Sequence, residues 1–127
     1  MEKLKLKRET AVKALKTLNW ILKEPFSIIV QDSVIKRFEY SFEAFWKYLK
    51  EYLLVREGKT ANSPKSCFRE ALSAGLITED ECHLFLLMTD DRNLTLHTYD
   101  ETLAMELYNK IPGYAAAMGK LLERAGV

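Results

Sequence analysis

The sequence IKRFEYSFEAFWKYLKEY, residues 35–52, decides the fold. Its apolar residues recur at steps of three and four, which is the spacing of one face of an α-helix. Tyr40, Trp46 and Tyr48 add aromatic side chains outside that face. We therefore expect a long helix buried on two sides, one against a core and the other against a second copy of the chain. The face that would pack against other helices consists of Ile35, Phe38, Phe42, Phe45, Leu49 and Tyr52.

The segments before this helix predict another helix and a connection. Apolar residues at helical spacing extend from about Lys3 to Leu22. Pro25 ends that helix because proline disfavours helical backbone in the residue before it. We interpret the apolar segment 26–30 as a connection that closes one end of a bundle. Asp32 or Ser33, both good N-caps, then begins the long helix.

Capping signals predict the remaining helices. Ser63–Pro64 opens a short helix, with serine as the cap and proline in the first turn. Thr78–Glu81 is a capping box, and we expect its helix to end near Asp91–Asn93. Thr98–Glu101 is a second capping box. We expect Pro112–Gly113 to interrupt or kink the helix that follows it.

Together these signals predict an all-α fold, an antiparallel up-and-down bundle of four or five helices. The 127 residues are 48% hydrophobic and 29% charged, which is typical of a globular protein. We expect a single domain over residues 1–127. The 19 basic and 18 acidic residues argue against nucleic-acid binding through bulk charge, although a small basic site remains compatible.

The composition also indicates the compartment. The N-terminus is charged and carries no apolar signal region, and no run is long enough to span a membrane. Cys67 and Cys82 lack the spacing of a metal site and are too few for a disulfide framework. We therefore expect a cytoplasmic protein that has reduced cysteines and no association with a membrane.

The segment from residue 90 to 101 concentrates the groups that can do chemistry. Arg92, His97 and Tyr99 lie within eight residues. If one helix ends near Arg92 and the next begins at Thr98, their side chains meet at a junction, where a helix N-terminus favours an anion. Arginine can bind a phosphate through two hydrogen bonds, and histidine can transfer a proton near neutral pH. The segment thus predicts a phosphate site, or a metal-independent site that cleaves RNA.

The same residues also permit a structural interpretation. Arg92 can pair with Asp90 or Asp91, His97 can cap a helix, and Tyr99 can pack against its neighbours. An arginine followed five residues later by a histidine occurs by chance in many helical proteins. Spacing alone therefore leaves both interpretations open.

Other titratable residues do not predict a metal site. His83 lies near Cys82 and Glu79, but further ligands at helical spacing are missing. The pairs Asp90–Asp91 and Asp100–Glu101 are the remaining candidates for a divalent cation. Helix caps and salt bridges explain such pairs more simply. We therefore predict no metal site and no cofactor.

Several segments together resemble one family. The run Arg92–Glu101 resembles the R-x4-H-x-Y motif of the HEPN superfamily, and more closely that of the HepT-like nucleotidyltransferase substrate-binding proteins. The resemblance covers nearly the whole chain, and the set is far more specific than the motif alone. The other similar segments are Arg37–Lys50, Ser63–Lys65, Phe68–Ala71 and Gly75–Ile77.

The resemblance implies a homodimer that partners a minimal nucleotidyltransferase. In many such pairs the HEPN protein is a metal-independent endoribonuclease toxin. The nucleotidyltransferase is then the antitoxin, which can modify the motif tyrosine with AMP. Transferred by position, Arg92 and His97 would be the catalytic pair, Tyr99 the modification target and Asn93 the polar residue after the arginine. RNA or a nucleotide would occupy the cleft where the two copies of the motif face each other.

An alternative function within the same family is a non-catalytic subunit that binds the nucleotide or substrate of the nucleotidyltransferase. The chain lacks the transferase signature, a Gly-Ser pair followed by spaced aspartates, so it is not the transferase itself. Asp90 and Asp91 distinguish it from plain HEPN toxins. If either paired with Arg92, phosphate binding would weaken, and the binding subunit would be favoured over the nuclease.

Overall fold

The computed structural model describes residues 1–97 and 100–126, and of residues 96 and 97 it describes the backbone only. Over this part of the chain, every regular element is an α-helix. Each helix packs against the next one in sequence, and the last returns to contact the first two. The predicted all-α, up-and-down bundle is confirmed. The helices are α1 (Glu2–Ile21), α2 (Ile28–Glu57), α3 (Pro64–Ser73), α4 (Glu79–His97) and α5 (Glu101–Ala125).

The predicted apolar face of α2 forms the centre of the core. Phe38 and Phe42 have no exposed surface, and Phe45 retains only 1%. Phe45 meets Phe85 of α4 with ring centroids 5.4 Å apart, and Phe85 stacks on Phe68 of α3 at 5.0 Å. Aromatic pairs at these separations stabilise a core beyond the burial of their area. The long aromatic helix thus fixes the positions of the helices around it.

The start of α2 differs from the prediction. Ser27 has extended backbone and is the N-cap, and its hydroxyl accepts a hydrogen bond from the Val30 N–H at 3.0 Å. Residues 28–30 therefore belong to the helix, so the interpretation of 26–30 as a connection holds only for residues 26 and 27, and the prediction of Asp32 or Ser33 as the cap is wrong. The physical reason is that Ser27 satisfies a first-turn N–H that would otherwise lack a partner.

The predicted caps of α3 and α4 are confirmed. The Ser63 hydroxyl accepts from the Ser66 N–H at 3.2 Å, and the Ser66 hydroxyl accepts from the Ser63 N–H at 3.1 Å. Thr78 and Glu81 form the same reciprocal pair, at 3.1 and 2.9 Å. Each pair satisfies two N–H groups at a helix start, which fixes where α3 and α4 begin.

The end of α4 lies further along the chain than predicted. The helix continues to His97, so the expected end at Asp91–Asn93 is wrong. Thr95 donates a hydrogen bond from its hydroxyl to the Arg92 carbonyl at 2.8 Å, one turn back. Neither proline nor glycine occurs between Arg92 and His97, and side chains of α2 contact this last part of the helix. The helix therefore includes both Arg92 and His97, the two residues of the predicted catalytic pair.

The fifth helix is continuous where an interruption was expected. Its N-cap is Asp100, whose carboxylate accepts two N–H groups of the first turn at 2.8 and 3.1 Å. The box predicted at Thr98 begins outside the described residues. The expected interruption at Pro112–Gly113 is wrong, since α5 runs through both residues, and the alternative of a kink stays a prediction. Ile111 and Tyr114 are buried on either side, and their packing offsets the hydrogen bond that proline removes.

Within the described ranges, we find no helix with enough length and apolar character to cross a bilayer. Cys67 and Cys82 are free and buried. Burial raises the pKa of the Cys67 thiol to about 11, and it raises the pKa of Cys82 as well. Both thiols therefore stay protonated at neutral pH, and they are poor nucleophiles.

Candidate functional site

Arg92 lies on α4 at the point where this helix faces α2. Its Nη2 donates to Oε2 of Glu43 at 2.5 Å. The guanidinium carbon lies 5.2 Å from the ring centroid of Phe42, which is fully buried. The Arg92 side chain keeps 19% of its surface exposed. The cation is therefore fixed by a ring and a carboxylate, with one side open to solvent.

The guanidinium of Arg92 has hydrogen-bond donors to spare. Its Nε is buried and has no hydrogen-bond partner in the described part of the chain. Its Nη1 makes only a long contact of 3.4 Å with Oδ1 of Asn93. Because arginine carries five N–H donors, Glu43 engages only part of the group. The Nη1 N–H groups can bind the oxygen atoms of an anion, whereas the buried Nε is not accessible from solvent.

A second contact joins the two helices one turn further along. The Thr95 hydroxyl lies 3.4 Å from Oε2 of Glu39, which is four residues before Glu43 on the same face of α2. One wall of the site is thus acidic, and the other carries the arginine. We call this group the Arg92 site, and it consists of Glu39, Glu43, Arg92, Asn93 and Thr95.

The acidic residues before Arg92 have other partners. Oδ1 of Asp90 lies 2.6 Å from Nζ of Lys65. Asp91 accepts a hydrogen bond from the hydroxyl of Tyr114 and forms an ion pair with Lys110 of α5. Neither aspartate is therefore the ion-pair partner of Arg92, contrary to the structural alternative considered for this segment. Sequence reasoning missed the actual partner, Glu43, which lies 49 residues away along the chain.

Tyr114 anchors the segment of α4 that carries Arg92. Its side chain is only 3% exposed and stacks on Phe38, with ring centroids 5.9 Å apart. Burial, and after it the hydrogen bond to Asp91, raises the pKa of the Tyr114 hydroxyl. The phenol therefore remains protonated and keeps donating to the carboxylate. This contact joins α5 to the residue immediately before Arg92.

His97 belongs to the same helix as Arg92. It is the last residue of α4, and five residues of helix correspond to an axial rise of about 7.5 Å. The predicted helix junction at Arg92 is therefore wrong, because α4 continues through Arg92 to His97. The side chain of His97 and the whole of Tyr99 lie outside the described residues. Their roles as proton-transfer group and modification target stay predictions.

The remaining candidates for metal binding have structural partners or stand alone. Over residues 1–97 and 100–126, no group of three or more His, Cys, Asp or Glu could hold a metal ion. The Cys82 thiol donates to the Phe68 carbonyl at 3.7 Å. Asp100 caps α5, and Asp90 and Asp91 form ion pairs with lysines of α3 and α5.

Comparison with known sequences gives a family and a relative. The family model for nucleotidyltransferase substrate binding protein like chains matches residues 6–126. A protein of Haemophilus influenzae named probable ribonuclease HepT is 33% identical over 124 residues. That alignment covers 91% of this chain and 82% of the relative.

Comparison with solved structures supports the same assignment. A crystal structure of a Thermus thermophilus protein has a TM-score of 0.88 at 45% identity and covers 92% of this chain and 99% of its own. A Haemophilus influenzae protein described as a substrate binding domain of a nucleotidyltransferase has a TM-score of 0.65 at 26% identity, covering 98% and 97%. A mutant of the toxin–antitoxin pair MntA–HepT shares the fold, with a TM-score of 0.78 at 16% identity, covering 98% and 97%. The chain therefore belongs to the HepT-like family of nucleotidyltransferase substrate-binding proteins.

Proposed function

We propose that this chain is the HEPN-type partner of a minimal nucleotidyltransferase in a two-component, toxin–antitoxin-like system, and that it is a metal-independent endoribonuclease. The observation that carries the proposal is Arg92, a fixed and partly exposed cation with free donors, five residues before His97. A relative named probable ribonuclease HepT supports it. The working unit is a cytoplasmic homodimer of single domains, with RNA in the cleft between the two copies of the motif.

In this proposal Arg92 provides the electrostatic stabilisation. The Nη1 N–H groups, which Glu43 leaves available, bind the non-bridging oxygens of one phosphodiester. These oxygens gain negative charge as the 2′-oxygen attacks phosphorus. A preoriented cation therefore stabilises the transition state more than the ground state, which is the condition for raising kcat. Asn93 follows Arg92 in the motif and helps to orient the same phosphate.

His97 transfers the proton. It accepts the proton of the 2′-hydroxyl as the 2′-oxygen bonds to phosphorus, and the resulting imidazolium gives this proton to the 5′-oxygen as its bond to phosphorus breaks. The products are a 2′,3′-cyclic phosphate and a free 5′-hydroxyl. The charge that develops on the phosphate is met by Arg92, so the reaction needs no metal ion.

The partner nucleotidyltransferase controls this activity through Tyr99. Transfer of AMP from ATP to the phenol oxygen, with release of pyrophosphate and of the phenol proton, adds a phosphodiester two residues after His97. The added negative charge competes with RNA for the cation of the same motif, and the nucleotide occupies space in the cleft. Modification therefore lowers RNA cleavage without unfolding the protein.

The test is expression without the partner, followed by cleavage of labelled RNA in EDTA. Wild type is expected to slow growth and to cut the RNA, and His97→Ala is expected to abolish both effects. His83→Ala is the matched control, because His83 is the other histidine of α4 and is exposed. Equal cleavage by wild type and His97→Ala would refute the nuclease. Mass spectrometry after co-expression with the neighbouring nucleotidyltransferase is expected to find AMP on Tyr99.

A second candidate is a non-catalytic subunit that holds a nucleotide for the transferase. The ion pair between Arg92 and Glu43 favours it, because a partly neutralised guanidinium stabilises less of the charge that develops during cleavage, while its Nη1 can still bind a nucleotide phosphate. This function requires no RNA cleavage. It predicts that a nucleotide binds to the homodimer and that Arg92→Ala weakens the binding, as measured by calorimetry.

A further inference from the structure

A second arginine rests on an aromatic ring, on the side of α2 that faces α1. The guanidinium carbon of Arg37 lies 5.4 Å from the ring centroid of Trp20. Its Nε donates to the Ser33 hydroxyl at 3.0 Å, and its Nη1 donates to the Thr17 carbonyl at 3.3 Å. Both acceptors are neutral. Within the described residues Arg37 has no ion-pair partner, so its positive charge is not compensated locally.

Two large aromatic side chains are exposed at the same place. Trp20 is 58% exposed, and Tyr40 is 41% exposed. The hydroxyls of Tyr40 and Thr17 share a hydrogen bond of 2.7 Å. Thr17 therefore holds Tyr40 through its hydroxyl and Arg37 through its carbonyl. Arg37 in turn lies over Trp20, and the two aromatic rings present large surfaces to solvent.

Lysines flank these rings. Lys13, Lys16 and Trp20 share one side of α1, because residues three, four and seven apart lie on the same helix face. Lys36 precedes Arg37 on α2, and all three lysines are exposed. In the described part of the chain, no carboxylate lies within ion-pair distance of any of them.

The part of the chain that contributes this face carries an excess of positive charge. Residues 1–40 contain nine Lys and Arg against five Asp and Glu, whereas the whole chain has 19 against 18. A cavity of about 280 Å³ between α1 and α5 extends the region, with Arg8, Lys16 and Asn19 in its lining beside one acidic residue, Glu123. This face thus combines lysines and Arg37 with exposed aromatic rings, although the net charge of the whole chain is only +1.

We propose that this face binds single-stranded RNA. Unpaired bases stack on exposed aromatic rings, and lysines contact the phosphates between them. Lys13 and Trp20 are seven residues apart, which corresponds to about 10 Å along α1 and is room for a short run of nucleotides. A duplex hides the faces of its bases, so it cannot stack in this way. We call this face the Trp20 surface, and it consists of Lys13, Lys16, Trp20, Lys36, Arg37 and Tyr40.

Charge favours RNA over a protein as the occupant. The cores of protein–protein interfaces are depleted of lysine, whereas three lysines without ion pairs surround these rings. A second copy placed face to face would bring like charges together, which opposes association. The inference rests on the proposed function for its substrate, single-stranded RNA, but binding to the Trp20 surface requires no cleavage.

The first test is fluorescence anisotropy with a short fluorescein-labelled single-stranded RNA, in EDTA and in a His97→Ala background that keeps the RNA intact. Trp20→Leu removes the ring, and we expect it to weaken binding by about tenfold, as loss of one stacked base does. Trp20→Phe retains a ring and is expected to bind within about twofold of the parent. Ile29→Ala is the matched control, because Ile29 is 82% exposed and outside the surface.

The second test detects the contact between RNA and Trp20 directly. The chain has two tryptophans, so Trp46→Phe leaves Trp20 as the sole reporter. Single-stranded RNA is expected to quench its fluorescence, and the same sequence as a duplex is not. Replacing Lys13 and Lys16 by alanine is expected to reduce the salt dependence of binding, by about 0.7 in the logarithmic slope for each lost phosphate contact.

Several outcomes would overturn the inference. These are equal affinity of the parent and Trp20→Leu, quenching of Trp20 by the duplex alone, or a change in oligomeric state on Trp20→Leu, which would mark a protein contact. Trp20-dependent binding without cleavage by wild type would reject the nuclease and keep the Trp20 surface. Cleavage by wild type that Trp20→Leu leaves unchanged, together with unchanged binding, would reject the surface and keep the nuclease.

Discussion

Two arginines of this protein lie over aromatic rings at nearly the same distance, 5.2 Å for Arg92 over Phe42 and 5.4 Å for Arg37 over Trp20. Their surroundings are otherwise different. The ring beneath Arg92 is fully buried, and Glu43 binds the guanidinium at 2.5 Å. The ring beneath Arg37 is 58% exposed, and the acceptors of the guanidinium are a hydroxyl and a carbonyl.

The comparison distinguishes Arg92, whose guanidinium is held in place, from Arg37, whose charge is available to ligands in solution. A guanidinium paired with a carboxylate exerts little field at a distance, but its remaining donors are oriented for an anion that reaches it. A guanidinium with neutral acceptors keeps its net charge and attracts a polyanion from solution. In the functions proposed above, Arg37 and the lysines beside it collect RNA, and Arg92 acts on one phosphate.

The largest contrast is expected in stability when the two rings are removed. Phe42→Ala leaves a cavity in the core, and we expect it to lower the free energy of unfolding by about 3–5 kcal/mol. Trp20→Ala loses a contact at the surface, and we expect a cost of about 1 kcal/mol or less. Urea unfolding at equal protein concentration measures both. Similar costs for the two variants would contradict the difference in burial on which the comparison depends.

The next effect is expected at the carboxylate that distinguishes the two arginines. Glu43→Gln removes the charge that competes for Arg92, so we expect AMP to bind about fivefold more tightly, equivalent to about 1 kcal/mol. Isothermal calorimetry measures this affinity. Glu51→Gln is the matched control, because Glu51 also lies on α2 but pairs with Lys3. Weaker binding by Glu43→Gln would instead indicate that the carboxylate positions the arginine for the ligand.

A pH-dependent effect on stability is expected at Tyr114, which anchors α4 through Asp91. Tyr114→Phe removes the hydrogen bond to Asp91, and we expect it to lower the free energy of unfolding by about 1–2 kcal/mol at neutral pH. Burial and then this hydrogen bond raise the pKa of Tyr114, so the folded state holds the phenol proton more tightly than the unfolded state. This contribution is complete below about pH 10 and is lost as the pH rises above that value.

Urea unfolding between neutral and strongly alkaline pH tests the prediction for Tyr114. Wild type is expected to lose stability more steeply than Tyr114→Phe as the pH rises above the ordinary pKa of tyrosine. Tyr48→Phe serves as a comparison, because burial also raises the pKa of Tyr48, and its hydroxyl donates to a backbone carbonyl at 2.8 Å. If the free energy of unfolding fell in parallel for wild type and Tyr114→Phe as the pH rose, the phenol would add nothing to stability in that pH range.

The smallest effect is expected at the hydroxyl that supports Arg37. Ser33→Ala removes one neutral acceptor near the surface, where water can replace it, so we expect a change in stability within about 0.5 kcal/mol. Affinity for single-stranded RNA, measured by anisotropy, is expected to fall by no more than about twofold, since the charge of Arg37 is retained. A loss as large as that of Trp20→Leu would mean that the orientation of the guanidinium governs binding more than its charge does.

The sequence was sufficient to predict the helices but not all of their ends. The spacing of Phe38, Phe42 and Phe45 predicted the buried face of α2, because helical periodicity is a local property. The start of α2 was misplaced since Ser27 and Asp32 are both good caps, and the sequence does not show which of them the chain uses. The end of α4 was misplaced because contacts with α2 support its last turn.

The site was predictable only where a motif marks it. Arg92 was identified from its spacing to His97 and from the resemblance of the surrounding chain to one family. Glu43 was not, because its pairing with Arg92 depends on how α4 packs against α2. The contact of Arg37 with Trp20 was missed for the same reason, since it depends on how α1 and α2 align across their connection.

The most direct measurement compares the two arginines in one assay, the steady-state cleavage of single-stranded RNA in EDTA. We predict that Arg92→Ala lowers kcat by about a hundredfold or more, as expected for loss of a charge that stabilises the transition state. We predict that Arg37→Ala raises KM and leaves kcat within about twofold, as expected for loss of a binding contact. Cleavage by Arg92→Ala at the wild-type kcat would contradict the role proposed for the Arg92 site.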